Sequence, residues 1–394
     1  MKYNTINLRN WGVRMAYTIL VVDDVAFNRT VLKAALKDME DVIFTDAVNG
    51  VQALEVMESE EISLVILDLM MPEKNGFDVL REMRQDHRLK DIPVIVYSAM
   101  DEIDSISEAL ALGAYDYFTK PLKPKQMNVI LPMKVKNAIQ LYEQQKTIQA
   151  LNEKMSLEML LANVFQQSLL KERQSFTVAD MYGKFIPCHE VGGDFYDCVE
   201  SGESLWFIMA DVSGYGVAAA MLSSMLKVEF QHCVQQFQYP NDVLRHINNV
   251  FCNLTKSNYC LTAFVGLIKD NTLWYSNAGQ SYPVFYQAEK DVAHILQESS
   301  HSIGMIEDEE YELHQLPIAA GDLVVTYTEG LLENKLDHAG ADEVYEELSR
   351  CVINRKHLIA ERPTEFFETI FQLFGNGSDK KAKTDMAMML ICAK

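Results

Sequence analysis

Thr18-Ile19-Leu20-Val21-Val22-Asp23-Asp24 is an apolar run that ends in two adjacent carboxylates, and Leu64-Val65-Ile66-Leu67-Asp68 repeats the arrangement further along the chain. Leu64 to Leu67 and Val94 to Tyr97 lack polar alternation, the pattern of strands buried on both faces. Amphipathic stretches such as Phe27 to Leu36 separate these runs, and the alternation continues from Tyr17 to about Lys136. The rhythm predicts an α/β unit, a doubly wound parallel sheet with helices on both faces. Pro93 falls at the start of its strand, where a missing N–H does least harm.

Carboxylates stand where these strands end, and the carboxyl edge of a parallel sheet is where such folds bind ligands. Asp23, Asp24 and Asp68 therefore converge on one point, where their repulsion calls for a hard, oxygen-loving cation such as Mg2+. Ser98 and Lys120 end the fourth and fifth strands and offer a hydroxyl and an ammonium to phosphoryl oxygens. Taken singly, a strand-end aspartate also caps helices, and Tyr117 also reads as edge packing. Together with Met71-Pro72, Gly76 and Lys120-Pro121, residues 17–136 resemble the response-regulator receiver family, of flavodoxin-like fold. The resemblance implies that Asp23 and Asp24 hold Mg2+ with the Met70 carbonyl, and that Asp68 is both ligand and phospho-acceptor. It implies that Ser98 and Lys120 sense the phosphoryl group, that Tyr117 is the switch aromatic and that Lys120-Pro121 is cis. The phosphodonor is then a histidine kinase or a phosphotransfer protein.

From Asn137 to Lys171 there is no glycine or proline, and Leu141, Ile148, Met155 and Ala162 recur every seven residues, with Leu151 and Phe165 on the adjoining seam. Residues 137–175 are expected to form a helical linker with a coiled-coil tendency, and so a route to a homodimer. Gln144 and Glu158 interrupt the second seam. Pro132 is expected to kink or break the chain between the last receiver helix and this linker.

Beyond Phe176 the pattern changes to strand pairs. Asp194 to Val199 and Ser204 to Ala210 flank a Gly202 turn, and Leu261 to Ile268 and Thr272 to Ser276 flank Asp270-Asn271. The stretches Val191-Gly192-Gly193-Asp194-Phe195-Tyr196-Asp197 and Ala210-Asp211-Val212-Ser213-Gly214-Tyr215-Gly216 place one aspartate at the start of a hairpin strand and another at the end of its partner. Pairing brings the two together, and neighbouring acids with no lysine or arginine between them suggest a divalent metal site.

These stretches resemble the metal-dependent protein phosphatases, in the bacterial branch typified by the sporulation phosphatase. Gln166-Gln167-Ser168-Leu169-Leu170, Asn277-Ala278-Gly279-Gln280, Ser302-Ile303-Gly304, Gly321-Asp322 and Tyr327-Thr328-Glu329-Gly330 extend the match. It implies an α+β phosphatase sandwich (αββα) over 176–394 that hydrolyses phosphoserine or phosphothreonine with two Mn2+ or Mg2+ ions. Asp194 and Asp211 are then ligands, with the Val212 carbonyl. The chain departs from the family in having Glu329 for aspartate and Thr384-Asp385 for an acidic pair. Aligned on the first member, Thr384 takes the ligand position as a weaker, neutral oxygen. Asp385, one residue along a strand, is expected to face the other way. His189, His232 and His246 share no common ligand spacing, and Met221 and Met225 suit a core face.

Composition narrows the function. A 394-residue chain with a formal net charge of -21 repels phosphate backbones, which argues against nucleic-acid binding. All seven cysteines lie from Cys188 onward without a Cys-x-x-Cys pair, and no apolar run reaches membrane length, as expected of a cytoplasmic protein. Residues 1–14, ahead of Met15, read as an upstream extension. Two functions follow from the resemblances. One is a phosphorylation-controlled phosphatase acting on a phosphoserine protein such as an anti-sigma-factor antagonist. The other is an adaptor of the same fold that binds a sigma factor or its regulator.

Overall fold

The structure, a computed structural model, describes residues 16–214, 216–255, 259–375 and 383–394; the proposed extension and Tyr215 of the second motif lie outside them. Two compact units divide between Lys154 and Met155.

In the first unit, strands β1 (Tyr17–Val22), β2 (Val42–Ala47), β3 (Leu64–Leu67), β4 (Val94–Ser98) and β5 (Asp116–Thr119) form one sheet in the order β2-β1-β3-β4-β5. Every pair is parallel, and the order reverses direction next to β1, the doubly wound arrangement expected. Strand alternation explains the two cores. Leu20 and Val22 of β1 pack into one face, while Ile19 and Val21 pack into the other. Helices α1 (Ala26–Leu36), α2 (Gly50–Ser59), α3 (Gly76–Gln85) and α4 (Ile103–Ala111) connect the strands. The Asn49 and Asn75 side chains cap α2 and α3 by accepting from Gln52 and Asp78 N–H groups.

Helix α5 (Leu131–Leu169) runs without interruption for 39 residues, so the break expected at Pro132 does not occur. Pro132 stands in the first turn, where its missing N–H is least needed, and a π-helical turn over Gln126–Ile130 leads directly into it. Ile148, Leu151, Met155 and Phe165 are exposed along this helix.

The second unit holds two antiparallel sheets. Strands β6 (Arg173–Ser175), β7 (Ala179–Ile186), β8 (Phe195–Ser201), β9 (Ser204–Val212), β10 (Leu261–Lys269), β11 (Thr272–Ala278), β12 (Val284–Gln287), β13 (Val292–Ile295), β14 (His314–Pro317), β15 (Leu323–Tyr327) and β16 (Met386–Ala393) divide between them. Their orders are β14-β11-β10-β9-β8 and β13-β12-β15-β16-β7-β6. The expected hairpins are both present. Ser201 pairs with Ser204 across Gly202-Glu203, and Lys269 pairs with Thr272 across Asp270 and Asn271, whose φ angles of 50° and 57° are those of a type I′ turn.

Ala387, Met389 and Ile391 of β16 pack with β9 and β10 between the sheets, while Met386, Met388 and Leu390 pack outward. Helices α6 (Val217–Gln236) and α7 (Pro240–Thr255) cover the five-stranded sheet. After the short α8 (Glu333–Leu336), α9 (Ala341–Glu361) and α10 (Pro363–Phe374) supply Leu348, Phe366 and Ile370 to the outer core. The layers are those of an αββα sandwich.

One expectation on α6 is reversed. Met221 is 63% exposed and Met225 43%, whereas Ala219, Ser223, Leu226, Phe230 and Cys233 form the buried stripe. Both stripes have helical spacing, but the one that begins with small residues packs on the sheet.

Candidate functional sites

The carboxyl edge of the parallel sheet gathers the first site. Side-chain oxygens of Asp23, Asp24 and Asp68 lie within 4.8 Å of one another, with Asp23 and Asp68 buried and Asp24 exposed. Lys120 reaches across from the end of β5, placing Nζ 2.7 Å from Asp23 Oδ2 and 2.6 Å from Asp68 Oδ2. Burial opposes the charge on Lys120, but the hydrogen bonds to both carboxylates outweigh it and hold the ammonium above its ordinary pKa. Ser98 is fully buried and its Oγ has no hydrogen-bond partner among the described residues. Tyr117 is half-buried, and its hydroxyl donates to the Met100 carbonyl over 2.7 Å. The Met70 side chain is exposed, and its N–H donates to Asp68 Oδ1. Lys120-Pro121 is cis.

The second site lies at one end of the β8–β9 hairpin. Asp194 immediately precedes β8 and Asp211 stands near the end of β9, and because Phe195 pairs with Ala210 the two residues are brought together at one end of the hairpin. Thr328 follows β15, and its Oγ1 donates to Asp194 Oδ2 over 2.6 Å; the other oxygen, Oδ1, is buried with no hydrogen-bond donor among the described residues. Burial and the charges of Asp211 and Asp385 raise Asp194 well above the usual carboxylate range. Burial likewise pushes Asp211 up to about 6, with the neighbouring Asp194 opposing the rise and the charges of Asp385 and Glu329 adding to it. Charge is concentrated here, and the groups that act on the pair are themselves anionic.

The paired glycines let backbone approach these acids. A Cβ on Gly192 would lie 2.2 Å from Asp385 Oδ2, and one on Gly193 would lie 2.5 Å from the Val212 carbonyl oxygen. Asp385 Oδ2 accepts the Gly193 N–H over 2.7 Å and Oδ1 accepts the Cys188 N–H over 2.8 Å.

The receiver-domain family model for response regulators matches residues 19–131, and the model for Stage II sporulation protein E (SpoIIE) matches residues 201–394. The two-component response regulator ORR5 of Oryza sativa subsp. japonica is 33% identical over 111 residues, which are 28% of this chain and 82% of that protein. The chain belongs to the response-regulator family. Behind the receiver, this response regulator carries a SpoIIE-like domain of the PPM phosphatase type. Phosphoserine phosphatase RsbU of Bacillus subtilis is 25% identical over 201 residues, 50% of this chain and 60% of RsbU. The SiaA PP2C domain of Pseudomonas aeruginosa shares the fold, with a TM-score of 0.50 and 16% identity over 62% of this chain and 98% of that domain. The response regulator spans less than half the length, 43–44%, of the first curated relatives it matches. Among the described residues no helix is long and apolar enough to cross a membrane.

The placement of Thr384 and Asp385 in this response regulator reverses the expectation. Thr384 is exposed and its hydroxyl donates to Glu333 over 2.6 Å. Asp385 is buried beside Gly192 and Gly193. The two residues do face opposite ways, as expected, but it is Asp385 rather than Thr384 that turns toward Gly192 and Gly193, in the segment just before β16 begins at Met386. Glu329 is exposed, opens a 3-10 turn and acts on Asp211 through its charge. Two motif residues whose roles the sequence does not reveal also serve the site: Thr328 orients Asp194, and Gln166 is buried with its side chain on Gly192.

Both sites suit the ions expected of them. The first offers three carboxylates suited to Mg2+, with the Lys120 ammonium and the Ser98 hydroxyl beside them for a phosphoryl group. The second offers a buried Asp194 with one orphaned oxygen beside a part-buried Asp211, a donor set a hard dication satisfies.

Proposed function

We propose that phosphorylation of Asp68 controls a protein phosphatase whose site is built on Asp194, Asp211 and Asp385. The observation that carries this reading is the pair of a buried Asp194 and a part-buried Asp211, raised in pKa under further negative charge and with Asp194 Oδ1 unpartnered. Such a pair is costly to a fold and useful to a metal-dependent hydrolase.

In this reading Asp194, Asp211 and the Val212 carbonyl hold two Mn2+ or Mg2+ ions, with Glu329 or Asp385 completing the set. Divalent cations at such a site neutralise phosphoryl oxygens and supply a water of lowered pKa. Thr328 fixes the Asp194 rotamer, and Asp385 fixes the Gly193 and Cys188 backbone. In the receiver, Asp23, Asp24, Asp68 and the Met70 carbonyl hold Mg2+. Asp68 takes the phosphoryl group from a histidine kinase or phosphotransfer protein, Lys120 and Ser98 bind its oxygens, and Tyr117 follows Ser98 inward.

The substrate is a phosphoserine or phosphothreonine protein, with an anti-sigma-factor antagonist as the candidate that the likeness to RsbU suggests. We assign the receiver to 17–136, the linker to 137–175 and the phosphatase to 176–394, in a cytoplasmic protein. The exposed seam of α5 supports pairing of two copies through the linker. The adaptor reading drew on the altered ligands Glu329 and Thr384; a carboxylate at Asp385 beside Gly192 and Gly193 supports hydrolysis over it. Manganese-dependent hydrolysis of an aryl phosphate, lost in Asp211→Asn, tests it. No turnover with any divalent metal, with partner binding intact, returns the adaptor.

A further inference from the structure

Far from the acidic pair along α6, Glu229 and Cys233 stand one helical turn apart on one face, and α7 brings His246 to the same place. His246 Nε2 lies 2.7 Å from Glu229 Oε1, and one donor atom from each of the three residues falls within 4.8 Å of the other two. His232 lies one residue before Cys233, and its Nδ1 is 4.0 Å from the same Glu229 oxygen. We propose that Glu229, Cys233 and His246 form a binding site for a transition-metal dication of the Zn2+ type, distinct from both acidic sites.

The donor set separates this cluster from the other two. Asp23, Asp24 and Asp68 offer oxygen alone, which suits Mg2+, whereas thiol, imidazole and carboxylate together suit the borderline-soft ions. Burial is graded in the way a binding site requires. Cys233 is fully buried and forms the floor, while Glu229 and His246 are part-exposed and form a mouth through which an ion enters. The Phe237 ring lies 5.3 Å from the His246 ring and holds its orientation. A hydrogen-bonded surface pair beside a core cysteine would explain two of the residues, but such a pair contributes at most about 1 kcal/mol and needs no thiol at its base.

Burial and the Glu229 charge push the Cys233 thiol up to about 12, so without an ion it is protonated. Binding forms the metal–sulfur bond as the thiol proton leaves to solvent, and uses His246 through Nε2 with its proton on Nδ1. The ion would tie α6 to α7. Since α6 starts just beyond Asp211-Val212, the tie would steady the helix that leads out of the phosphatase site.

The test titrates the metal-free full-length chain with Co2+ and follows thiolate-to-cobalt charge-transfer absorption. The expected result is a band that saturates at about one equivalent, is displaced by Zn2+, and is absent from Cys233→Ser. His246→Gln, at the exposed mouth and safe for folding, should raise the Co2+ needed on the order of tenfold or more, and Zn2+ should raise the thermal midpoint of wild type but not of this variant. Cys188→Ser, whose residue lies beside Asp385, should keep the band. A cobalt complex without the band, or a band equal in wild type, Cys233→Ser and His246→Gln, overturns the proposal.

Discussion

The side-chain amide of Gln166 holds both backbone groups of Gly192: its Nε2 donates to the Gly192 carbonyl over 2.6 Å, and its Oε1 accepts the Gly192 N–H over 3.1 Å. The next residue, Gly193, gives its N–H to Asp385. The last turn of α5 is therefore one residue from the carboxylates of the phosphatase site, and a shift of that turn has a short route to them.

Gln166→Ala leaves both Gly192 groups buried without partners, at a cost of about 1–3 kcal/mol for each group. Turnover of an aryl phosphate at saturating Mn2+ should fall on the order of tenfold, as expected when a backbone near the reacting centre loses its position. Thermal unfolding run alongside separates lost positioning from lost fold. Wild-type turnover in a folded Gln166→Ala would show that the clamp is only structural.

Asp385 and Thr384 should behave oppositely to the family alignment. Asp385→Asn keeps one acceptor and turns an NH2 against a backbone N–H, leaving Cys188 or Gly193 unpaired, a loss of about 1–3 kcal/mol in stability. Hydrolysis should drop with it, and more Mn2+ should be needed. Thr384→Asp should change neither turnover nor Mn2+ dependence, because the side chain faces Glu333. A lower Mn2+ requirement in Thr384→Asp would restore Thr384 to the site.

Much of this was legible in the sequence, and the failures have local causes. Uninterrupted apolar runs such as Leu64 to Leu67, separated by amphipathic stretches, read as strands buried on both faces of a sheet covered by helices. The Asp270-Asn271 turn was readable because both residues tolerate positive φ. Pro132 misled because a proline in a first turn and a proline in a helix interior look alike until the start of the helix is known. Asp385 misled because alternation says that neighbouring residues face opposite ways without saying which of the two faces the site. Met221 and Met225 misled because helical periodicity identifies a stripe without saying which of two stripes meets the sheet. His246 reaches Glu229 and Cys233 only through the packing of α7 on α6, which no spacing within either helix encodes.

In the receiver, Asp68 should take a phosphoryl group from acetyl phosphate in the presence of Mg2+, and Asp68→Asn should not. Intact-mass spectrometry reads the difference directly. Lys120→Ala removes the ammonium that bonds to both Asp23 and Asp68 and should weaken or abolish labelling. Equal labelling of wild type and Asp68→Asn would remove Asp68 from the site.

The exposed α5 seam predicts self-association. Ile148 and Leu151 are 58% and 54% exposed, so replacing both with lysine should leave the thermal midpoint nearly unchanged while converting a dimer to a monomer in sedimentation. Output should no longer respond to Asp68 phosphorylation. A double variant that keeps both the wild-type mass and the wild-type response places the coupling elsewhere.

The central claim, that an aspartyl phosphate in the receiver governs phosphoester hydrolysis at Asp194 and Asp211, is tested most directly by one comparison. The full-length chain, with and without acetyl phosphate and Mg2+, is assayed against a phosphoserine peptide in Mn2+, with Asp68→Asn and Asp211→Asn beside it. The account predicts turnover in wild type that changes on phosphorylation, turnover in Asp68→Asn that does not change, and none in Asp211→Asn. Turnover that persists in Asp211→Asn, or that responds to acetyl phosphate equally in wild type and Asp68→Asn, contradicts it.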